Sequence, residues 1–213
     1  MPNTAHAYPR TLRSSILKAS RHFPVVAVTG ARQVGKTTLL KEICEPERRY
    51  VSLDDPFLLK SAKEDPELFL QNHPAPLLID EIQYAPELLP FIKMRVDAAK
   101  KKGEYWLTGS QPFHLMQGLS ESLAGRVGIL NLLGFSNLES HGLGACTASP
   151  FLPERAWVDA QQSSWNGKSP QTIQALYAAI WRGSFPALVI DPDMDRDLYF
   201  ASYVQTYIQR DVR

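Results

Sequence analysis

The chain has 213 residues, 44% of them hydrophobic and 21% charged, and a net charge of +1. That balance belongs to a globular protein with a core of its own, and it excludes a disordered, fibrous or strongly polyanion-seeking chain. No apolar run approaches the ~20 residues that cross a bilayer, and "MPNTAHAYPR" lacks a leader-like apolar segment, so the expectation is a soluble, cytoplasmic protein with no membrane partner.

Residues 1–50 carry nine basic against three acidic side chains, a net of +6, and residues 51–97 carry four against nine, a net of −5. A basic N-terminal third is either an anion-binding surface or a solvated face. "PVVAVTG" (24–30) is a short β-branched run ending in glycine, the pattern of a buried parallel strand. "KTTLLKEICE" follows as a helix with Leu39, Leu40, Ile43 and Cys44 on one face, which places Cys44 in the core. "RRYVSLDD" reads as a second strand closing in a turn at Asp54, Asp55 and Pro56, and "APLLIDEIQ" as a third. Pro86 opens a helix carrying Leu88, Leu89, Ile92, Val96 and Ala99, and Gly103 ends it after a lysine-rich last turn. "EYWLTGS" is a fourth strand, "PFHLMQGLSESLA" a helix and "RVGILNLLGF" a fifth strand.

Residues 141–170 are rich in Gly, Ser and Pro and have no clear period, so they read as a loop or hinge. Helical spacing returns with Ile173, Leu176, Tyr177 and Ile180, and again in "YFASYVQTYIQRDVR", where Phe200, Tyr203, Val204, Tyr207 and Ile208 form one stripe. Cys44 and Cys146 form no disulfide or metal pattern, which suits a reducing cytosol, and the five histidines lack ligand spacing. Alternating strands and helices imply right-handed crossovers and a mainly parallel five-stranded sheet covered on both faces. In such sheets ligands bind at the carboxyl ends of the strands, where the motifs below all fall.

"GARQVGKTT" fits G-x-x-x-x-G-K-[ST] with Gly30, Gly35, Lys36 and Thr37 in the defining places. The glycines let successive backbone N–H groups turn toward phosphate oxygens, and the following helix offers the positive end of its dipole. The expected cradle runs through Gly30, Ala31, Arg32, Gln33, Val34, Gly35, Lys36, Thr37 and Thr38. Within it, Lys36 reaches the β- and γ-phosphates and the Thr37 hydroxyl is a ligand for Mg²⁺. In "LLIDEIQ", a buried strand delivers Asp80 to the metal shell, and Glu81 beside it is placed to deprotonate a water in line with the γ-phosphate. "LTGSQ" offers Ser110, with Thr108 as the alternative, to the γ-phosphate or the attacking water; Ser110 also reads as a turn residue before Pro112. Arg126 in "LAGRV" is either a transition-state arginine, from its own chain or a neighbour, or a salt-bridge residue. Asp54 and Asp55 lie near the site by topology without an assigned role. No Asn/Thr-Lys-x-Asp element for guanine occurs, which leaves ATP as the expected nucleotide.

Taken in order, "VVAVTGARQVGKTTLL", "YVSLDDP", "LLIDEIQYAPELL", "WLTGSQ", "SLAGRV" and "WRGSFPAL" resemble a group of prokaryotic AAA-like ATPases. Those proteins join an N-terminal P-loop ATPase domain to a C-terminal helical domain of uncharacterised function. The resemblance implies the P-loop NTPase three-layer fold, with the P-loop strand central and an extra strand between it and the Walker B strand. It implies ATP and Mg²⁺ as ligands, a Walker B pair at Asp80 and Glu81, a sensor at Ser110 and a finger-like Arg126. The expected layout is an ATPase domain over 1–140, a hinge over 141–170 and a helical segment over 171–213, the last resembling the start of a second domain. "GSFP" departs from the family's double glycine, away from the nucleotide motifs.

The leading expectation is Mg²⁺-dependent ATP hydrolysis that drives a conformational change on an unknown partner, a protein or a nucleic acid. The alternatives are a nucleotide-gated DNA- or protein-binding module and a P-loop kinase. A homo-oligomer is expected if Arg126 acts on a neighbour's site, and a nucleic acid if the basic segment with Arg10, Arg13, Lys18 and Arg21 is a binding surface.

Overall fold

The computed structural model describes residues 8–110, 122–145, 154–159 and 172–211. It divides into two compact units, Leu12–Gly134 with Thr206–Arg213, and Met1–Thr11 with Phe135–Gln205.

The first unit holds five parallel strands, β1 (Val25–Thr29), β2 (Arg49–Ser52), β3 (Leu77–Asp80), β4 (Tyr105–Gly109) and β5 (Val127–Asn131), in the order β2-β3-β4-β1-β5. The P-loop strand β1 is interior, and β4 separates it from β3, as the resemblance implied. Every residue of β1, β3 and β4 is buried. That two-sided burial is why these segments read as continuous apolar runs and not as alternating ones.

Among the described residues, five helices accompany the sheet: α1 (Leu12–His22), α2 (Lys36–Ile43), α3 (Pro56–Glu64), α4 (Pro66–Asn72) and α5 (Leu88–Ala99). On one face Val25, Ala27, Ile79 and Leu107 pack with Phe69 and Leu70 of α4 and with Leu88, Leu89, Ile92 and Val96 of α5. On the other, α1 lies against β1 and β5, and the Trp106 indole donates to Ser20 Oγ at 3.0 Å. Arg48 is buried beside them, stacked 4.1 Å over Trp106, paired with Glu45 at 2.7 Å and donating to the Gly103 carbonyl at 2.7 Å.

Helices α3 and α4 have no counterpart in the sequence reading, in which Asp55-Pro56 is a turn. Asp55 instead caps α3, its carboxylate accepting from the N–H groups of Phe57 and Leu58, and Pro56 sits in the first turn. Asp65 and Pro66 repeat the device for α4. Helix α5 stops at Ala99 with Lys100 itself in the left-handed cap position (φ 53), so Gly103 is not its terminator. Cys44 is only partly buried: it caps the end of α2, with its thiol donating to the Lys41 carbonyl at 3.3 Å, and it is not a core residue. The helix expected over "PFHLMQGLSESLA" lies almost wholly outside the described residues.

The second unit is built on short helices. A capping box at Ser136 and Glu139 opens Asn137–Ser140, and residues 155–159, inside the expected hinge, are helical. Thr172 caps Ile173–Arg182, whose Ile173, Tyr177, Ile180 and Trp181 remain 68%, 68%, 65% and 66% exposed. Pro186–Ile190 follows, and then Arg196–Asp211, of which the residues up to Gln205 belong to this unit. In the closing helix, Phe200 and Tyr203 pack with Phe185 and Tyr199, whereas Val204 and Tyr207 of the same stripe stay exposed. Among the described residues no helix is long and apolar enough to cross a membrane.

Glu139 is buried in this unit together with its partner Arg10. Its carboxylate accepts from the amides of Thr11 at 2.7 Å and Ser136 at 2.8 Å and pairs with Arg10 at 3.2 Å. Burial alone raises its pKa, but the Ser136 and Thr11 amides and the Arg10 guanidinium outweigh it, and the net shift is downward. A depressed carboxylate stabilises the fold above its unfolded pKa of about 4.3 and ceases to do so as pH falls through the lower folded value. Glu139→Gln is therefore expected to lose about 1.5–3 kcal/mol at pH 7, read from urea midpoints, with the gap to wild type closing in acid.

Candidate functional site

The register of the sheet brings the motifs to one edge. Thr29 of β1 aligns with Gly109 of β4, and Ile79 of β3 with Leu107. Gly30, Asp80, Glu81, Thr108 and Ser110 therefore all sit at the carboxyl ends of three adjacent strands.

The loop between β1 and α2 turns through three residues of positive φ: Gly30 (145), Gln33 (61) and Gly35 (92). At Gly30 the backbone runs so close to β5 that an added Cβ lies 2.1 Å from the Leu132 carbonyl oxygen, so only glycine fits. Ala31, Gln33 and Thr38 face solvent, Val34 is buried, and Arg32 Nη2 donates to the Tyr84 hydroxyl at 3.1 Å, tying the loop to the turn that follows β3. Gly35 caps α2 without a side-chain bond, and the first turn holds no acidic residue, so its N–H groups and positive dipole end face the loop. Lys36 is buried, and its ammonium donates to the carbonyls of Gly30 at 3.1 Å and Ala31 at 2.9 Å. Burial pulls its pKa below the ordinary lysine value, against the attraction of Glu81 and Asp80.

The Asp80 carboxylate gathers hydroxyls from three elements. Thr37 Oγ1 of α2 donates to both oxygens at 2.9 and 3.0 Å, Thr108 of β4 donates to Oδ1, and the Tyr50 phenol of β2 donates to Oδ2 at 3.1 Å. A hydroxyl and a carboxylate within 3 Å of each other fit a hard cation such as Mg²⁺. Among the described residues no cluster of three or more His, Cys, Asp or Glu side chains forms a metal cage.

Glu81 follows in a left-handed conformation (φ 58, ψ 45) that a residue with a Cβ adopts only under constraint. Its amide donates to Thr108 Oγ1 at 3.2 Å, which fixes the kink. Its carboxylate accepts from Ser110 Oγ at 3.0 Å and from the Gln83 amide, which also donates to Ser110 Oγ at 3.3 Å. Ser110 and Thr108 are both buried, Ser110 against Glu81 and Thr108 against Asp80, so both serine and threonine candidates are in the group.

Arg126 is not. Its carbonyl accepts from the N–H of Val25, the first residue of β1, which puts it at the amino edge of the sheet. It is held there in a two-pronged pair with Asp97 of α5, at 2.5 and 3.0 Å. The length of β1, roughly 17 Å at about 3.3 Å per residue, separates it from the loop and removes a finger role within its own chain. Asp55 is the cap of α3, and Asp54 makes no side-chain bond to the group. Tyr50 and Gln83 are the two members that sequence reading missed; Gln83 at least lay inside the quoted "DEIQ" run.

Fold and site together define a P-loop ATPase of the AAA-like class. Residues 22–141, more than half of the chain, match the family model described as "AAA domain", and the chain belongs to that family. It is 29% identical over 188 residues to the uncharacterized proteins Rv2008c of Mycobacterium tuberculosis and Mb2031c of Mycobacterium bovis. The match covers 87% of this chain and 39% of each relative, so the chain spans about two-fifths of their length. Among solved structures it is similar to the Walker-type ATPase PABY2304 of Pyrococcus abyssi, with a TM-score of 0.53 and 16% identity over 93% of this chain and 74% of that one.

Gly30→Ala is expected to displace the loop from the Leu132 carbonyl and abolish binding of a fluorescent ATP analogue. Gly125→Ala, whose added Cβ meets nothing within 4 Å but whose φ of 74 strains any side chain, should lose some stability and still bind it.

Proposed function

We propose that the chain binds ATP with Mg²⁺ and hydrolyses its β–γ phosphoanhydride, and that turnover drives a conformational change on a partner. The observation that carries this reading is the convergence of the Gly30–Thr38 loop, the Thr37–Asp80 pair and the Glu81–Ser110 pair at one sheet edge.

In this reading the phosphates take the place of the Gly30 and Ala31 carbonyls as partners of Lys36, whose buried ammonium gains from a nearby anion. The N–H groups of the loop and of the α2 N-terminus bind the same anion. Thr37 and Asp80 would hold Mg²⁺, which would supply charge neutralisation to the phosphates. Glu81 accepts a proton from a water as its oxygen attacks the γ-phosphorus, the bridging bond breaks, and its electrons leave on the β-phosphate of ADP. Ser110 donates to the Glu81 carboxylate at 3.0 Å, the contact through which it would sense the state of that base. A carboxylate next to the metal ligand favours water over a small-molecule acceptor, which ranks hydrolysis above a kinase reaction. Arg126 enters this scheme only from a neighbouring copy of the chain.

Lys36→Ala is expected to lose nucleotide binding, and Glu81→Gln to keep it while phosphate release falls by about 10²–10⁴-fold. Wild-type turnover in Glu81→Gln overturns the choice of base. For Arg126, specific activity is measured against protein concentration: a rise that Arg126→Ala abolishes is expected if a second copy completes the site, and a flat line removes Arg126 from the mechanism.

A further inference from the structure

We propose that Tyr50 is a positioning residue for Asp80, and that its hydroxyl sets the affinity of the site for its divalent cation. The proposal rests on the reading of Asp80 as a Mg²⁺ ligand and assigns to that reading a residue outside every nucleotide motif.

Tyr50 lies on the edge strand β2, where its backbone pairs with Leu78 and not with Asp80, whose register partner is Ser52. Its side chain nevertheless runs along the strand to donate from the phenol to Asp80 Oδ2 at 3.1 Å. The ring is held in that direction by Lys41 of α2, whose ammonium sits 3.5 Å from the ring centroid. A cation over the face of a tyrosine is attracted to its quadrupole and fixes the plane in which the hydroxyl points.

The other donors to Asp80 cannot do the same work. Thr108 is fully buried in β4 and holds Oδ1. Thr37 donates to both oxygens, but as a metal ligand it must turn a lone pair toward the cation and give up at least one of those bonds. When the bond given up is the one to Oδ2, Tyr50 is the donor left there. A carboxylate held at both oxygens presents one orientation to the cation; one held only at Oδ1 rotates about its Cβ–Cγ bond and loses that preorganisation. Replacing an outer-shell partner of a metal ligand typically weakens metal binding by about 10–100-fold. At 40% exposure, Tyr50 can lose its hydroxyl without opening a cavity in the core.

The test uses the whole chain and a non-hydrolysable fluorescent ATP analogue, titrated with Mg²⁺ and separately bound in EDTA, for wild type and Tyr50→Phe. Phenylalanine keeps the ring under Lys41, so only the hydroxyl is removed. The expected result is a Mg²⁺ midpoint raised about 10-fold or more, with EDTA affinity unchanged and Tm within a few degrees of wild type. An unchanged midpoint overturns the proposal, and so does an equal loss with and without Mg²⁺, which would make Tyr50 a contact to nucleotide or a structural residue. If wild type itself shows no Mg²⁺-dependent binding, the nucleotide reading fails and the proposal fails with it.

Discussion

A buried carboxylate is tolerable only when its oxygens are bonded, and in the sheet unit Asp80 is such a carboxylate. Its hydroxyl donors come from α2, β2 and β4, so satisfying one charge ties the helix after the P-loop to two strands other than Asp80's own. The sheet order follows the same need. With β4 between β1 and β3, Thr108 lies next to Asp80 and the Gly30 loop lies one strand further on. Thr37 then reaches across from the start of α2. Remove the carboxylate and three hydroxyls lose their common acceptor.

Strain gathers around the same point. Gln33 and Glu81, both with side chains, hold positive φ, and Gly30 runs against the Leu132 carbonyl. Each of these conformations costs free energy and persists only where neighbours over-determine it. For Glu81 the determinants are visible: an amide bond to Thr108, a hydroxyl bond from Ser110, and the Gln83 amide. The side chain that is best placed to act as a base is thus held by the strand next to its own.

Much of the first unit was legible in the sequence because its signals are local. The strands β1, β3 and β4 are short apolar runs, and buried parallel strands have no other pattern available to them. The phosphate loop was legible because close backbone approach admits few residues. What was missed depended on context. Asp55-Pro56 and Asp65-Pro66 are chemically identical to turn signals, and only the chain that follows makes them caps. Cys44 fell on the apolar stripe but is the cap residue of α2, where the backbone has already left the helix.

Residue types and spacings by themselves determined the P-loop, the acidic pair at Asp80 and Glu81, and a parallel α/β sheet, since each is a constraint between residues close in the chain. Only the tertiary structure decided who joins them. It brought Tyr50 to Asp80 from an edge strand and Gln83 to Glu81 through a kink, contacts that no local period encodes. It also sent Arg126 to the amino edge, because a residue that leads into a parallel strand enters at the end opposite the site. In the closing helix, packing on Phe185 claimed Phe200 and Tyr203 and left Val204 and Tyr207 exposed, a division that an unbroken apolar stripe could not foretell.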